Sequence, residues 1–225
     1  MKKIGVVGGL SPESTILYYN HIVKRYYEIK GNYNFPEIII YSLSFGKFSE
    51  AVKRKNVPEE ILKALEALKK AGADFAIISA NTPHIFFDEI ADASPLPVIS
   101  IIDATIEKAK EYGLRKLLLL GTIFTMESEY FKNEYEKNGI EIVVPSKEER
   151  KVVNEIIFNE LAKGIVKEKS RKRLLEIVES YNEVDGIILG CTELPLILQQ
   201  EHVSKKLLDT ATIHAEKALM HALEL

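Results

Sequence analysis

Short apolar runs rich in Ile, Val and Leu alternate along the chain with longer stretches in which apolar residues recur at helical spacing. Strands buried on both faces of a parallel sheet have nearly continuous apolar sequences, and the helices that cover them present one apolar face. The alternation therefore predicts βαβ units and parallel sheets. Strands are predicted at residues 3–7, 37–42, 74–79, 97–101, 116–120, 140–144, 185–190 and 205–208. Helices are predicted at residues 12–29, 58–71, 102–112, 126–138, 149–163, 169–181 and 210–223.

Two turns carry sequences that are typical of helix starts. Ser11 precedes Pro12, and Asn81-Thr82 precedes Pro83. A short polar side chain can accept a backbone N–H at a helix start, and proline fits the first helical position because it has no N–H to satisfy. Both sequences therefore predict a capped helix directly after a strand.

Three segments of the first half reappear, in the same order, in the second half. Residues 3–8, 37–42 and 74–82 (KIGVVG, EIIIYS and DFAIISANT) match residues 116–121, 141–146 and 185–193 (KLLLLG, EIVVPS and DGIILGCTE). One such match arises easily among apolar strands, but three in order indicate a repeated unit. The predicted fold is α/β, with two pseudo-symmetric lobes, each a four-stranded parallel sheet flanked by helices. The lobes are expected at residues 1–100 and 101–207, with a C-terminal helix at about 208–225 that crosses back to the first.

Ala80 and Cys191 occupy equivalent positions in this repeat, just past the end of a strand. Open α/β sheets bind ligands at the carboxyl ends of their strands. We therefore expect a small-molecule site in a cleft between the lobes, with these two residues on opposite walls. A helix N-terminus at such a place favours a bound anion or a thiolate, so the pKa of the Cys191 thiol is expected to be lowered.

Cys191 is the candidate reactive group, because a thiol that is partly ionised near neutral pH can act as a nucleophile or as an acid/base. The alternative is that it is a small, buried apolar residue. A nucleophilic mechanism of the Cys-His type requires a histidine, and His84 and His214 are the candidates. Both also fit the alternative of structural packing.

Composition and charge argue against several other classes of function. The formal net charge is −3, which gives no reason to expect nucleic acid or an anionic membrane as a partner. The one cysteine cannot form an internal disulfide, no Cys and His residues have metal-ligand spacing, and no apolar run approaches the roughly 18 residues that span a bilayer. The apolar start is too short for a signal peptide. A soluble cytoplasmic protein without a metal is expected.

A dinucleotide-binding role is also disfavoured. Residues 5–9 (GVVGG) do not have the GxGxxG spacing, and no acidic residue ends the second predicted strand to bind a ribose. The charged runs at 53–55 and 147–151 are interpreted as solvated surface.

Several short motifs together resemble the cofactor-independent aspartate/glutamate racemase superfamily, especially its amino-acid racemase branch. They are GGLSPEST at 8–15, NTPH at 81–84, LGT at 120–122 with TM at 125–126, GCTE at 190–193, and DT at 209–210 with IHA at 213–215. The likeness covers nearly the whole chain. It implies two pseudo-symmetric lobes, a substrate held between them without pyridoxal phosphate or a metal, and a homodimer.

In such enzymes two acid/base residues act on opposite faces of the substrate α-carbon, because inversion requires access to both faces. The resemblance assigns the second of these positions to Cys191. The first is usually cysteine and in some members threonine, but here it is Ala80, which can neither give nor take a proton. The resemblance also places Val52 where a related racemase has a polar substrate contact. The other residues that it implies in substrate binding are Gly9, Leu10, Ser11, Asn81, Thr82, Thr122, Thr125, Thr192 and Glu193.

Three hypotheses are consistent with these residues. The first is a cofactor-independent racemase-type isomerase for aspartate, glutamate or a similar small amino acid, with Cys191 as the acid/base and Ala80 at the position of the missing base. The second is a decarboxylase or isomerase of the same superfamily, in which one cysteine protonates an enolate from one face. The third is a catalytically silent protein that binds a small acid such as a dicarboxylate.

Overall fold

Eight strands form the framework of the computed structural model, which describes residues 1–54 and 56–225. In chain order they are β1 (Ile4–Gly8), β2 (Ile38–Ser42), β3 (Phe75–Ile78), β4 (Val98–Ile99), β5 (Lys116–Gly121), β6 (Glu141–Val143), β7 (Gly186–Gly190) and β8 (Lys206–Asp209). They make two four-stranded parallel sheets, with the orders β2-β1-β3-β4 and β6-β5-β7-β8. The predicted α/β fold is therefore confirmed, and the two sheets have the same topology.

Helices flank both sheets. The α-helices of the described residues are α1 (Pro12–Lys30), α2 (Phe45–Arg54), α3 (Val57–Lys70), α4 (Phe87–Ala93), α5 (Ile101–Glu111), α6 (Ile123–Met126), α7 (Glu129–Lys137), α8 (Lys147–Asn159), α9 (Glu168–Ser180) and α10 (Thr210–Leu223). Short 3₁₀ segments lie at Thr82–Phe86, Leu161–Lys163, Leu194–Leu196 and Gln200–His202.

The chain divides into two units, each built around one sheet. One unit comprises Met1–Ala104 and Ala211–Leu225, and the other comprises Thr105–Thr210. Helix α10 follows the last strand of the second sheet but belongs to the first unit, where Leu219 shares a buried apolar cluster with Tyr18 of α1. Each unit therefore encloses its own core.

The central strands of both sheets are buried along their length. Every residue of β1, β3 and β7 is buried, as are all residues of β5 except the first. Burial of each large aliphatic side chain contributes roughly 1.5–3 kcal/mol to stability, so these strands are the most firmly held elements of the fold. Their carboxyl ends are accordingly well-fixed positions from which to present reactive groups.

The two units repeat side-chain contacts at the amino ends of their central strands. Lys3 forms an ion pair with Glu37 at 2.9 Å, and Lys116 forms the equivalent pair with Glu141 at 2.9 Å. In both units a lysine at the start of the central strand thus pairs with a glutamate beside the edge strand.

An aspartate before β3 and another before β7 hold the backbone of these same strands. Asp74 accepts the N–H of Lys3 at 2.6 Å, and Asp185 accepts the N–H groups of Arg115 and Lys116 at 2.9 Å each. The repeat in the sequence therefore corresponds to a repeat of side-chain contacts as well as of topology.

Most predicted elements agree with the structure to within a few residues, and the exceptions are one strand and three short helices. Strand β4 is two residues long instead of five, and the helices α2, α4 and α6 have no counterpart among the predicted ranges. The buried residues Phe48 and Ala51 of α2 lie three positions apart on one helical face. Gly46 and the short length of this helix obscure that periodicity in the sequence.

The predicted cap at Asn81 is wrong. Its backbone is already helical (φ −76°, ψ −40°), and its side chain makes no capping hydrogen bond. Pro83 lies in the 3₁₀ segment Thr82–Phe86, and the α-helix begins only at Phe87.

Most described residues of the two charged runs are exposed as expected, but Glu149 and Arg150 are half-buried. Lys53 and Arg54 are exposed, and Lys55 lies outside the described residues. In the second run Glu149 closes a capping box with Ser146 at the start of α8. Across the described ranges, no helix is both long and apolar enough to cross a lipid bilayer.

Candidate functional site

The two candidate reactive positions lie at the carboxyl ends of β3 and β7, one in each unit. Cys191 directly follows the last residue of β7, and Ala80 lies two residues after the end of β3. Both residues are half-buried, and each packs against the apolar core of its own unit. Each position is thus fixed by packing and still accessible.

Cys191 contacts a carboxylate two residues further along the chain. Its Sγ donates a hydrogen bond to Glu193 Oε2 at 3.0 Å, and the hydroxyl of Thr192 donates to the same oxygen at 2.8 Å. Glu193 is buried, with 8% of its surface exposed. A buried carboxylate requires hydrogen-bond donors, and these two groups supply them. We call Cys191 and Glu193 the thiol–carboxylate pair.

The predicted lowering of the Cys191 pKa is wrong. Burial of the thiol raises its pKa well above the ordinary value, and the negative charge of the Glu193 carboxylate raises it further. Both effects act against the thiolate, because a buried anion loses hydration and a neighbouring anion repels it. The expected helix dipole is also weak, since the chain after Cys191 forms only the three-residue 3₁₀ segment Leu194–Leu196. At neutral pH the sulfur is therefore a protonated hydrogen-bond donor.

The turn after β5 lies at the same edge of the second sheet. Gly121 at the end of β5 pairs in register with Gly190 at the end of β7. A Cβ at Gly121 would lie 3.1 Å from the carbonyl oxygen of Gly190, so these strand ends approach closely because both are glycines. Thr122 caps α6 by accepting the N–H of Thr125 at 3.4 Å. The structure therefore brings the predicted residues Thr122 and Thr125 to the edge of the sheet that carries Cys191.

In the first unit, Gly9 allows the turn after β1 to pass close to a neighbouring loop. Its φ is +75°, and a Cβ there would lie 2.1 Å from the carbonyl oxygen of Leu43. Its N–H donates to Thr15 Oγ1 at 2.8 Å. Because this N–H is used within the protein, the structure gives Gly9 a role in shaping the turn.

The two residues that follow Gly9 are also fixed within the first unit. The side chain of Leu10 is buried in the apolar core, with 7% of its surface exposed. The Ser11 hydroxyl accepts the N–H of Ser14 at 3.2 Å, so the predicted cap of α1 is confirmed. The Ser14 hydroxyl in turn donates to the carbonyl of Ser79 at 2.8 Å, which ties α1 to the end of β3.

His84 holds the backbone of Ala80. Its Nδ1 lies 2.9 Å from the Ala80 carbonyl oxygen, and the N–H of Ile101 donates to its Nε2 at 3.1 Å. The ring is fully buried and stacks on Phe87. Burial lowers the pKa of His84 to about 4, so the ring is neutral at pH 7.

His214 on α10 lies beside His84, with ring centroids 5.7 Å apart. Its Nδ1 is 2.9 Å from the Tyr18 hydroxyl and its Nε2 is 2.9 Å from the carbonyl oxygen of Ile99. Burial, with a contribution from neighbouring His84, lowers the pKa of His214 to about 3. Each histidine therefore uses both ring nitrogens within the first unit, and the prediction that one of them is a base for Cys191 is not supported.

Val52 lies on α2, half-buried, where its side chain packs against the apolar core of the first unit. An apolar residue thus occupies the position at which the resemblance implies a polar contact. Among the described residues, no group of three or more His, Cys, Asp or Glu side chains is arranged to hold a metal ion.

The resemblance implies that Glu193 binds the substrate, and the contact of its carboxylate with the Cys191 thiol was not predicted. A carboxylate two residues after a candidate reactive cysteine is a signal that could have indicated the contact. The contacts of His84 have no such signal, because Ile101 is 17 residues away and the neighbouring ring of His214 is far along the chain.

A family model described as Asp/Glu/hydantoin racemase matches residues 7–218. The chain belongs to this family. The match to the Asp/Glu/hydantoin racemase family includes strands of both sheets and therefore covers both units.

Two relatives cover nearly the whole chain. The crystal structure of an aspartate racemase homologue from Pyrococcus horikoshii is 40% identical, with a TM-score of 0.89, and the match covers 99% of this chain and 100% of that one. The broad specificity amino-acid racemase RacX of Bacillus subtilis is 23% identical over 225 residues, which is 96% of each protein. An arylmalonate decarboxylase shares the fold alone, with 14% identity and a TM-score of 0.60 over 98% of this chain and 92% of that one.

Proposed function

We propose that the protein is a cofactor-independent amino-acid racemase-type enzyme in which Cys191 exchanges a proton with the α-carbon of aspartate, glutamate or a similar small amino acid. The observation that carries the proposal is the contact of the half-buried Cys191 thiol with the Glu193 carboxylate at a strand end. Membership of the racemase family and the names of the two relatives support the reaction class.

The thiol–carboxylate pair supplies the proton transfer that this reaction needs. The Sγ–H bond breaks and its proton passes to the Glu193 carboxylate, which leaves a thiolate. The thiolate then removes the substrate α-proton, so that an S–H bond forms as the Cα–H bond breaks, and the electron pair remains on the α-carbon and its carboxylate. A base within hydrogen-bond distance of the proton that it takes is the geometry that general acid–base catalysis requires. The cationic α-ammonium group of the substrate would offset the charge that raises the thiol pKa.

Ala80 marks the position where the family resemblance expects the second acid/base. A methyl group cannot deliver a proton to the opposite face of the α-carbon. Cys191 would then return the proton to the face from which it came. The wild-type protein should accordingly exchange the α-proton faster than it inverts the configuration.

The residues proposed to bind the substrate carboxylates are Asn81, Thr82 and Thr192, with the turn at Gly9, Leu10 and Ser11 and the turn at Thr122 and Thr125. Turns at the carboxyl ends of parallel strands place backbone N–H groups where an anion can bind. The Glu193 carboxylate already accepts hydrogen bonds from Thr192 and from the Cys191 thiol. In this proposal Glu193 therefore acts on the thiol and not on the substrate. Val52 would leave the distal end of the substrate without a polar contact.

Incubation with each enantiomer of aspartate and glutamate in deuterated water tests the proposal. Proton NMR measures loss of the α-proton, and chiral chromatography measures inversion. We expect exchange of at least one enantiomer with little inversion, and faster inversion in Ala80→Cys, which restores a thiol at the first position. Exchange that is absent for every candidate in both proteins would reject the proposal. Calorimetric binding of a dicarboxylate with no exchange would identify a silent binding protein.

A second candidate is a decarboxylase that protonates an enolate from one face. The raised pKa of Cys191 favours it, because a thiol that is protonated at neutral pH is ready to donate. Here the substrate's C–CO₂⁻ bond breaks, carbon dioxide leaves, and the thiol proton forms the new Cα–H bond. Release of carbon dioxide from a substituted malonate, together with no α-proton exchange on amino acids, would favour this reaction.

We also propose that the enzyme is a cytoplasmic homodimer that uses no cofactor, as the family resemblance implies. Light scattering coupled to size-exclusion chromatography measures the mass in solution. A monomer at micromolar concentration would contradict the dimer.

A further inference from the structure

A cavity of about 320 Å³ lies within the second unit, between the turn that joins α6 to α7, the end of β6 and the start of α8. Small-molecule sites in proteins have volumes of roughly 300–1,000 Å³, so this cavity has room for a small ligand only. None of the residues that line it is among those proposed to bind the substrate. The cavity is therefore a separate candidate site.

Part of the lining is apolar and well buried. It is formed by Leu119 of β5, Met126 of α6, Ile142 of β6 and Val144, which follows β6. Leu119 and Met126 have 1% and 4% of their surface exposed. An aliphatic group placed against them loses its contact with water, which is favourable. The apolar lining therefore favours a ligand with an aliphatic part.

The rest of the lining carries charges of both signs. Lys132 and Arg150 are cationic, and Glu127 and Glu129 are anionic. Because the two cations and the two anions cancel, the lining does not favour a ligand with a large net charge of either sign. A zwitterion offers each kind of side chain a partner of opposite charge. The charged lining therefore favours a ligand that has both an anionic and a cationic group.

Arg150 has hydrogen-bonding capacity that the protein leaves unused. Its Nη1 lies 3.6 Å from Glu127 Oε1, which makes an ion pair but is too long for a hydrogen bond. Its Nε is buried and has no hydrogen-bond partner within the described part of the chain. A guanidinium is always protonated, and its N–H donors match the two oxygens of a carboxylate. A carboxylate bound here would satisfy donors that are otherwise buried at a cost in free energy.

We propose that this cavity is a second small-molecule site, which binds the zwitterion of an α-amino acid with an aliphatic side chain. The carboxylate of the ligand binds Arg150, its ammonium group binds Glu127, and its side chain lies against Met126. The inference goes beyond the proposed function, because it depends neither on Cys191 nor on any proton transfer. Met126 directly follows Thr125 in α6, so the test must distinguish this cavity from the proposed substrate site.

Methionine methyl groups provide a reporter of binding. The chain has three methionines, and only Met126 lines the cavity, while Met1 and Met220 belong to the first unit. In protein labelled with ¹³C at the methionine methyl groups, titration with L-leucine should shift the Met126 resonance until it saturates at millimolar concentration. The other two resonances should stay in place, and Met126→Leu assigns the signal. A Met126 resonance that does not move would overturn the inference.

Two analogues of L-leucine test whether the ligand must be a zwitterion. Isocaproate lacks the ammonium group, and isoamylamine lacks the carboxylate. Each should bind at least about tenfold more weakly, the effect of losing a hydrogen bond to a charged group. Succinate, a probe of the proposed substrate site, should not displace L-leucine. Isocaproate that binds as tightly as L-leucine, or displacement by succinate, would show that the assignment is wrong. The absence of α-proton exchange on aspartate and glutamate would reject the proposed function and leave this titration unaffected.

A matched pair of substitutions on α8 tests the role of the guanidinium. Arg150→Gln should raise the Kd for L-leucine by about tenfold or more, whereas Lys151→Gln makes the same change of charge at an exposed neighbour and should leave the Kd unchanged. Arg150→Lys keeps the charge without the fork of donors, and its Kd should lie between the two. It also keeps the test decisive if the melting temperature shows that Arg150→Gln does not fold. A wild-type Kd in either Arg150 variant would contradict the site.

Discussion

The ends of β3 and β7 occupy the same place in two sheets of identical order, yet they carry different chemistry. After β7 a thiol, Cys191, donates to the buried carboxylate of Glu193. After β3 a methyl group, Ala80, has its carbonyl held by the neutral ring of His84. Ion pairs at the amino ends of the central strands are the same in both units. The units thus agree where contacts hold the sheet together and differ at the edge where α/β sheets bind ligands.

Removal of the thiol should have the largest effect, because it eliminates the proposed acid/base of the second unit. Cys191→Ser should reduce the rate of α-proton exchange by about 10²- to 10⁴-fold, the range for loss of a positioned proton-transfer group. Exchange followed by NMR in deuterated water measures it. Circular dichroism and the melting temperature are the controls, since serine keeps the hydrogen bond to Glu193. Undiminished exchange would assign the chemistry to another residue.

Substitution of the carboxylate should move two measurements in opposite directions. Glu193→Gln removes the charge that opposes the thiolate, so alkylation of Cys191 by iodoacetamide at pH 7 should become several-fold faster. The α-proton exchange should nevertheless fall by about 10²-fold, because the amide cannot take the thiol proton.

Thr192→Val is the matched control for this pair, because it removes one donor to Glu193 and keeps both the charge and the thiol. It should change the rate of alkylation much less than Glu193→Gln does. If both rates rise in Glu193→Gln, the carboxylate only restrains the thiol and is not its base.

The difference between the strand ends shows how far the sequence can be interpreted. Apolar periodicity and the repeat predict the sheets, most helices and the place of Cys191. They can do so because a buried strand or an amphipathic helix leaves its apolar pattern within a short stretch of sequence. The direction in which the Cys191 pKa shifts cannot be predicted in this way. It depends on burial of the thiol and on the turn that brings the Glu193 carboxylate to 3.0 Å from the sulfur. The arrangement around His84 depends on chain folding that joins distant segments, so no local pattern contains it.

Acid should destabilise the first unit through its buried histidines. Both pKa values are lower in the folded protein, at about 4 for His84 and about 3 for His214, than the ordinary value of 6.5. The unfolded chain therefore binds more protons below pH 6.5, and stability is fully present above that pH and falls as the pH drops toward 4 and 3. At 1.36 kcal/mol per pKa unit, the loss of stability is on the order of a few kcal/mol for each ring.

Denaturant unfolding between pH 7 and pH 4 measures the slope of the unfolding free energy against pH. His84→Asn should be less stable at pH 7 but should lose less stability on acidification, because one titrating ring is gone. Tyr26→Phe, which removes a hydroxyl bonded to Asn32 away from these rings, should keep the wild-type slope. An unchanged slope in His84→Asn would show that other groups carry the acid sensitivity.

The smallest effect should come from the aspartates that precede β3 and β7, where the two units are most alike. Asp185 accepts two backbone N–H groups and Asp74 accepts one. Because each such bond contributes roughly 1 kcal/mol, Asp185→Ala should lower the melting temperature more than Asp74→Ala does, the latter by about 2–4 °C. Neither Asp185→Ala nor Asp74→Ala should change the rate of α-proton exchange when calorimetry shows that the variant is folded. Both aspartates lie at the amino ends of the strands, away from Cys191. Loss of exchange in either variant would show that contacts at the amino ends of the strands affect the carboxyl ends. The two ends of the sheets would then not have separate structural and reactive roles.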